Sequence, residues 1–68
     1  MNKFKLLAVM AEHGENQSKL AAALGISRIT LSRKISEKSN AVFTQPEISA
    51  IKKRYKLTDT DVSAIFFT

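Results

Sequence analysis

The chain has no cysteine, which rules out a disulfide framework and a thiolate metal site. It has only two glycines and one proline, too few for an all-β domain with its many tight turns. Its longest clearly apolar run, residues 6–11, is much shorter than the roughly 20 residues that span a bilayer. No nucleophile–base set, glycine-rich phosphate loop or metal-ligand spacing is present. We therefore expect neither an enzyme nor a cofactor, and no membrane partner.

What the chain does contain is a basic surplus within a short length. Its 68 residues suffice for one domain with one small core, so we predict a single domain over residues 1–68. Eleven lysines and arginines face six acidic residues, for a net charge of +5. Such a surplus favours a polyanionic partner, although a basic soluble surface explains it equally well. A chain without cysteine also suits the reducing cytoplasm, where we expect the protein.

Apolar residues recur at helical spacing in five segments, which predicts an all-α, compact bundle of about five short helices. Each segment follows a residue that commonly caps a helix N-terminus: Asn2, Asn16, Ser27, Thr44 and Thr58. Glu47 and Asp61 complete capping boxes at the last two starts. The predicted inner faces are Phe4, Leu7, Ala8 and Ala11; Leu20, Ala21 and Leu24; Leu31 and Ile35; Ile48, Ile51 and Tyr55; and Val62, Ile65 and Phe66. Residues 37–42 lack apolar periodicity and are expected to form a loop.

Residues 17–36 have the features of two short helices that cross closely and are joined by a tight turn. Ala21 is small enough for close approach, and Gly25 tolerates the positive φ that such a turn needs. The apolar side chains that would hold the crossing are Leu20, Leu24, Ile26 and Leu31. An ordinary αα-hairpin meets the same requirements, so this pattern predicts a helix-turn-helix without by itself establishing DNA binding.

The outer face of the second helix of this pair has the composition of a DNA-reading surface. Its helical-wheel positions contain no acid and are Arg28, Ile29, Ser32, Arg33 and Ser36. Arginine can bind guanine through two hydrogen bonds, and serine allows close approach to a base or a phosphate. An outward isoleucine can contact a thymine methyl group. The alternative is an ordinary solvated surface with one exposed apolar side chain.

The stretch from Gln17 to Arg33 resembles the helix-turn-helix of the phage Cro and repressor family. In that pattern a glutamine opens the first helix, an alanine follows four residues later, and a glycine lies four residues further on. The matching positions of the reading helix are Ser27, Arg28, Thr30, Ser32 and Arg33. Residues 32–35, 43–48 and 66–67 are similar to small Cro-like proteins from phages of Gram-positive bacteria. One departure is Lys34, where the family often has an apolar residue.

This resemblance implies a lambda-repressor-like domain that acts as a sequence-specific transcriptional regulator, a Cro-like repressor in the bacterial host cell. Its implied partner is a double-stranded DNA operator. The implied DNA-binding residues are Gln17, Ser27, Arg28, Ile29, Ser32, Arg33, Lys38 and Asn40. The residues expected near backbone phosphates are Gln17, Lys38 and Asn40. The residues expected to face bases in the major groove are Arg28, Ile29, Ser32 and Arg33, although the place of Arg28 at the helix start also suits a phosphate.

A protein of a different class remains open: an anti-repressor or co-repressor that acts by binding a second phage regulator protein. Exposed apolar residues near the C-terminus fit that function as well as they fit a DNA-binding protein. Phe67 falls off the apolar stripe of the last helix, so we expect it to be exposed. An exposed phenylalanine there predicts either a weak homodimer or simply a frayed chain end.

Two further features have a structural and a functional interpretation. The basic residues Lys52, Lys53, Arg54 and Lys56 form either a solvated helix end, where the dipole favours cations, or an additional set of phosphate contacts. His13 is the only histidine, and its place at a predicted helix end suits a cation better than a metal ligand, because no other ligand residues cluster with it.

Overall fold

The computed structural model describes residues 1–37 and 41–67, and in these ranges the chain forms five α-helices and no strand. The helices are α1 (Lys3–Glu12), α2 (Gln17–Leu24), α3 (Arg28–Ser36), α4 (Gln45–Arg54) and α5 (Asp59–Phe66). The most extensive helix–helix contacts join α2 with α3, α1 with α5, and α4 with α5. The predicted all-α bundle is therefore confirmed. No helix in the described ranges is long and apolar enough to cross a lipid bilayer.

Every helix begins at the cap that the sequence predicted. In each case the cap side chain accepts a hydrogen bond from the backbone N–H three residues later, and the caps are Asn2, Asn16, Ser27, Thr44 and Thr58. Both capping boxes are present, with the Thr44 N–H donating to Glu47 at 2.8 Å and the Thr58 N–H donating to Asp61 at 3.0 Å. These bonds satisfy N–H groups that a helix cannot pair internally, so local sequence alone determines where the helices start.

The core is built from one apolar stripe of each helix. Its buried side chains are Leu6, Met10, Leu20, Ala21, Leu31, Ile35, Ile48, Ile51, Tyr55 and Ile65. Three further predicted residues, Leu24, Val62 and Phe66, are half-buried at its edge. The predicted inner faces of α2, α3, α4 and α5 are thus confirmed.

The predicted inner face of α1 was wrong. The buried residues of this helix are Leu6 and Met10, whereas Phe4, Ala8 and Ala11 are exposed. Of the predicted residues only Leu7 packs against the core, where it is half-buried. The helix carries apolar side chains on nearly every side, so periodicity alone does not select a single face. Packing against α5 selects the face that carries Leu6 and Met10, and it leaves the Phe4 ring 73% exposed.

Lys34 ties the end of α3 to the start of α4. Its ammonium donates to the Glu47 carboxylate and to the Val42 carbonyl, both at 2.9 Å, and it lies 6.0 Å from the centroid of the Phe43 ring. Only 13% of the Lys34 side chain and 14% of the Glu47 side chain are exposed. Burial acts to raise the pKa of Glu47, but hydrogen bonds from Thr44 and Lys34 outweigh it and lower the pKa. Lys34, which departs from the Cro-like pattern, therefore forms an ion pair that has a structural role.

Glu47→Ala should destabilise the fold more than Asp61→Ala. Both substitutions remove the acid of a capping box, but only the first also leaves the half-buried Lys34 ammonium without its carboxylate. By urea denaturation at pH 7 we expect Glu47→Ala to lower the unfolding free energy by about 1–2 kcal/mol. The Asp61→Ala loss should be smaller.

Measurement at several pH values provides a control for the comparison of Glu47→Ala with Asp61→Ala. Because the pKa of Glu47 is lowered in the folded protein, its contribution is present above the ordinary carboxyl range and is lost as the pH falls through the lowered pKa. The deficit of Glu47→Ala relative to the unmodified chain should therefore shrink in acid. Equal losses for the two variants at pH 7 would contradict the structural role of the Lys34–Glu47 pair.

Candidate nucleic-acid interface

A short turn built on Gly25 joins α2 to α3. Gly25 has a φ of +71°, in the left-handed region that side chains other than glycine rarely adopt. Its N–H donates to the Ala22 carbonyl at 3.2 Å, and the Ile26 N–H donates to the Ala21 carbonyl at 3.0 Å, so both bonds close the end of α2. Ser27 then caps α3. The helix pair begins at residue 17 and ends at residue 36, the limits predicted from the sequence.

One side of α3 is held in the core, which leaves the opposite side in solvent. Leu31 and Ile35 are buried, and Arg33 projects about 180° from their mean direction at 100° per residue. Ile29 lies on the same outer side and is 67% exposed. Ser36 is exposed as well, whereas Ser32 is only half-exposed. The outer face predicted from the sequence is therefore present in part, with Arg33 and Ile29 at its centre and Ser32 at its edge. The prediction was wrong for Arg28, which does not lie on this face.

Arg28 occupies a different position from Arg33. It lies about 40° from the core direction on the helical wheel, at the flank of α3. There it lines a surface hollow of about 560 Å³ together with the first turn of α2, including Gln17 and Ser18. Arg28 thus lines the same hollow as Gln17, which was expected near a phosphate, and projects in a different direction from Arg33. Lys38 and Asn40, the other expected phosphate contacts, lie outside the described residues.

The first turn of α2 offers backbone donors to this hollow. The Asn16 side chain accepts the N–H of Lys19 at 2.8 Å, and the preceding N–H groups of the first turn, at Gln17 and Ser18, have no acceptor within the helix. Helix N-termini with such groups attract anions. Ser18 was not selected from the sequence, although the predicted cap at Asn16 marks it as a first-turn residue.

The hydroxyl of Ser27 is used within the protein. It accepts the Thr30 N–H at 3.0 Å and donates to the Thr30 hydroxyl at 2.8 Å, so its proton is committed to the start of α3. Thr30 itself is exposed on the outer side of α3, although it was not among the residues predicted for the outer face. Ser27 therefore helps to fix the N-terminus of α3, whatever else it contacts.

Most of the acidic side chains are engaged in ion pairs, and of the basic residues of α3 only Lys34 is neutralised in this way. Four of the six acids form ion pairs: Glu15 with Arg54, Glu37 with the N-terminal amine, Glu47 with Lys34, and Asp59 with Lys52. The hydrogen bond from Lys52 also lowers the pKa of the Asp59 carboxyl. Within the described residues, Arg28 and Arg33 have no carboxylate at ion-pair distance. The surface around α3 can therefore attract phosphates without first breaking an internal ion pair.

The basic run on α4 divides into two kinds of residue. Lys52 and Arg54 pair with carboxylates, which supports a structural interpretation for these two. Lys53 and Lys56 are exposed and form no ion pair within the described part of the chain. For this second pair, phosphate contact stays a prediction.

The comparisons with known proteins agree with this geometry. The family model of bacterial regulatory proteins of the Fis family matches residues 3–37, just over half of the chain, which include α1, α2 and α3. Neither the curated proteins nor the solved structures contain a significant match. The family match supports the helix-turn-helix part of the resemblance noted above and does not extend to a Cro type or a phage origin. The chain therefore belongs to the Fis family of bacterial regulatory proteins, as a DNA-binding transcription regulator of the helix-turn-helix kind.

Proposed function

We propose that the protein is a sequence-specific repressor of the Cro-like kind, which reads an operator in the major groove with α3. The observation that carries this proposal is the outer face of α3, where Arg33 and the exposed Ile29 lie opposite the buried stripe. A helix-turn-helix places its second helix in the major groove, so this face would meet base edges. Occupancy of a site near a promoter would then exclude polymerase or another regulator. The resemblance of residues 17–33 to the phage repressors favours this role over activation.

The two arginines of α3 have different roles in this proposal. Arg33, which projects directly away from the core, reads a base, because a guanidinium can donate two hydrogen bonds to guanine O6 and N7. Arg28 holds a backbone phosphate, together with Gln17 and the first-turn N–H groups of α2 beside it. Ile29 contacts a thymine methyl group. Phosphate contacts would supply most of the affinity, and α3 would supply the selectivity.

The remaining predicted residues have supporting roles. Ser32, at the edge of the outer face, permits close approach of the helix to the groove. Ser27 keeps α3 capped at the end that enters the groove. For Lys38 and Asn40, contact with a phosphate stays a prediction.

Binding to duplex DNA should depend steeply on salt. The logarithm of the association constant is expected to fall by about 0.9 per log unit of salt for each phosphate neutralised. Fluorescence anisotropy with DNA that flanks the protein's own gene, and with a random duplex of equal length, measures this at several salt concentrations. The flanking DNA should retain binding at salt concentrations that release the random duplex. No binding to either duplex at low salt would contradict the proposal and favour a regulator that acts through a protein partner.

Alanine substitutions should separate the base-reading residue from the phosphate-binding one. Arg33→Ala should cost about 1–3 kcal/mol on the operator and little on random DNA, whereas Arg28→Ala should weaken both alike. Ile29→Ala should lose the discrimination of thymine from uracil at one operator position. Competition binding against the two duplexes measures all three variants.

The control for these variants is Lys5→Ala, which removes one positive charge from an exposed residue of α1. Its loss of affinity should be smaller than that of Arg28→Ala. Equal losses on operator and random DNA for every α3 variant would mean that this helix only positions the protein.

We also propose that the protein forms a weak homodimer through a hollow at the end of α5, which apolar side chains line together with Lys34 and Glu37. The hollow measures about 280 Å³, and its lining includes Val42, Phe43, Phe66 and Phe67. Val42 is 67% exposed and Phe67 is 61% exposed, whereas the Phe43 and Phe66 rings contact each other edge to face at 5.5 Å. In a twofold dimer the same surface of each copy would cover that of the other. Such a dimer would present two copies of α3 to half-sites about one DNA turn apart.

Phe67→Ala should weaken this dimer, and Phe4→Ala should not. Both residues are exposed phenylalanines, but only Phe67 lines the hollow. Sedimentation of the unmodified chain and of both variants, with and without operator, compares their association. A protein that stays monomeric and binds a single half-site under all conditions would rule out the dimer. If a second regulator protein occupies the hollow instead, Phe67→Ala should abolish that complex without affecting sedimentation of the isolated chain.

A further inference from the structure

One acidic residue, Glu15, lines the hollow at the N-terminus of α2. Glu15 immediately precedes the Asn16 cap and lines the hollow together with Gln17, Ser18 and Arg28. A free carboxylate at this place would be attracted to the same helix end as a DNA phosphate, and the two negative charges would repel each other. Phosphate binding at this end therefore requires that the charge of Glu15 be neutralised or turned away.

Arg54, at the end of α4, is the residue that engages this carboxylate. Its Nε donates to Glu15 Oε1, and the Tyr55 hydroxyl donates to the same oxygen at 3.4 Å. Only 12% of the Glu15 side chain is exposed in this arrangement. The hydrogen bond from Arg54 is the main cause that lowers the pKa of Glu15, and the carboxylate in turn raises the pKa of Arg54. The carboxylate is thus ionised, and its charge is balanced by a guanidinium from a distant helix.

The surroundings of Glu15 keep it in this position. Its N–H donates to the Met10 carbonyl at 2.8 Å after Gly14 has turned the chain with a φ of +65°. The Tyr55 side chain is buried, and its ring lies 5.1 Å from that of His13 at the end of α1. The turn between α1 and α2 is therefore anchored to the end of α4, and Glu15 is directed toward Arg54 by the backbone as well as by charge.

From these contacts we infer that Arg54 is a positioning residue for DNA binding: it binds the Glu15 carboxylate and so leaves the N-terminus of α2 free to accept a backbone phosphate. The inference rests on the proposed DNA-binding function of the α2–α3 pair. According to this inference, α4 contributes to DNA affinity without contacting DNA. This helix lies outside the matched residues 3–37. The effect of Arg54 should then exist only while Glu15 is charged.

A double-mutant cycle tests this dependence. The variants are Arg54→Gln, Glu15→Gln and the double variant, and the measured quantity is the dissociation constant for a random duplex at low salt. Arg54→Gln should weaken binding by about three- to tenfold, the size of the interaction between two charges about 4 Å apart in water. Glu15→Gln should bind at least as tightly as the unmodified chain. The double variant should recover most of the loss that Arg54→Gln causes.

Two controls separate this role from others. Lys53→Gln removes the same charge from the neighbouring position without touching Glu15, so its loss should be smaller than that of Arg54→Gln and the same with and without Glu15→Gln. Arg54→Lys keeps the charge and should retain most of the affinity. Thermal melting of each variant defines the temperature at which all of them are folded, and binding is measured below it.

The possible outcomes are distinct. A merely structural ion pair predicts that Glu15→Gln and Arg54→Gln weaken binding alike, because each breaks the same bond, and this result would overturn the inference. A direct contact of Arg54 with phosphate predicts that Glu15→Gln gives no rescue, which would overturn it as well. If the unmodified chain binds no duplex, the proposed function fails and the inference fails with it. Loss in Arg54→Gln with rescue in the double variant supports both.

Discussion

The close crossing of α2 and α3 is the contact on which the geometry of the site depends. Ala21 lies buried in the core, and Gly25 reverses the chain with a positive φ. A Cβ added at Gly25 would meet no atom within 4 Å, so the need for glycine there is conformational rather than a matter of space. Once this turn is made, burial of Leu31 and Ile35 directs the opposite side of α3 into solvent. The orientation of the outer face thus follows from the packing of the inner one.

A second constraint is the distribution of charge in a domain with few acids. The carboxylates of Glu15, Glu37, Glu47 and Asp59 each connect two parts of the bundle, and Asp61 closes a capping box. Exposed ion pairs contribute little to stability on their own. Their placement nevertheless has a consequence for function, since acids that hold helix ends together are not available to neutralise the two arginines of α3. The same side chains that connect the helices leave Arg28 and Arg33 unpaired among the described residues.

The family match covers α1 to α3, and the later part of the chain contributes to the same core. α4 and α5 contribute Ile48, Ile51, Tyr55 and Ile65 to the core, a large share for so short a chain. A domain of this size is close to the limit at which a single core suffices, so the helix-turn-helix needs these two helices as its support. They also reach back into the matched segment through the Lys34–Glu47 and Arg54–Glu15 pairs. The second half of the chain therefore determines how the first half is held.

Local sequence determined the helix starts, the turn at Gly25 and the inner faces of α2 to α5, because caps, a positive φ and apolar periodicity act over a few neighbouring residues. It also predicted which side of α3 is exposed. Only the tertiary structure decided which apolar face of α1 is buried, because several faces were apolar and the partner helix selected one. It likewise placed Arg28 beside the start of α2 and joined Arg54 to Glu15 across 39 residues of sequence. These contacts depend on how helices pack against one another, and no spacing along the chain encodes the distance between two side chains on different helices.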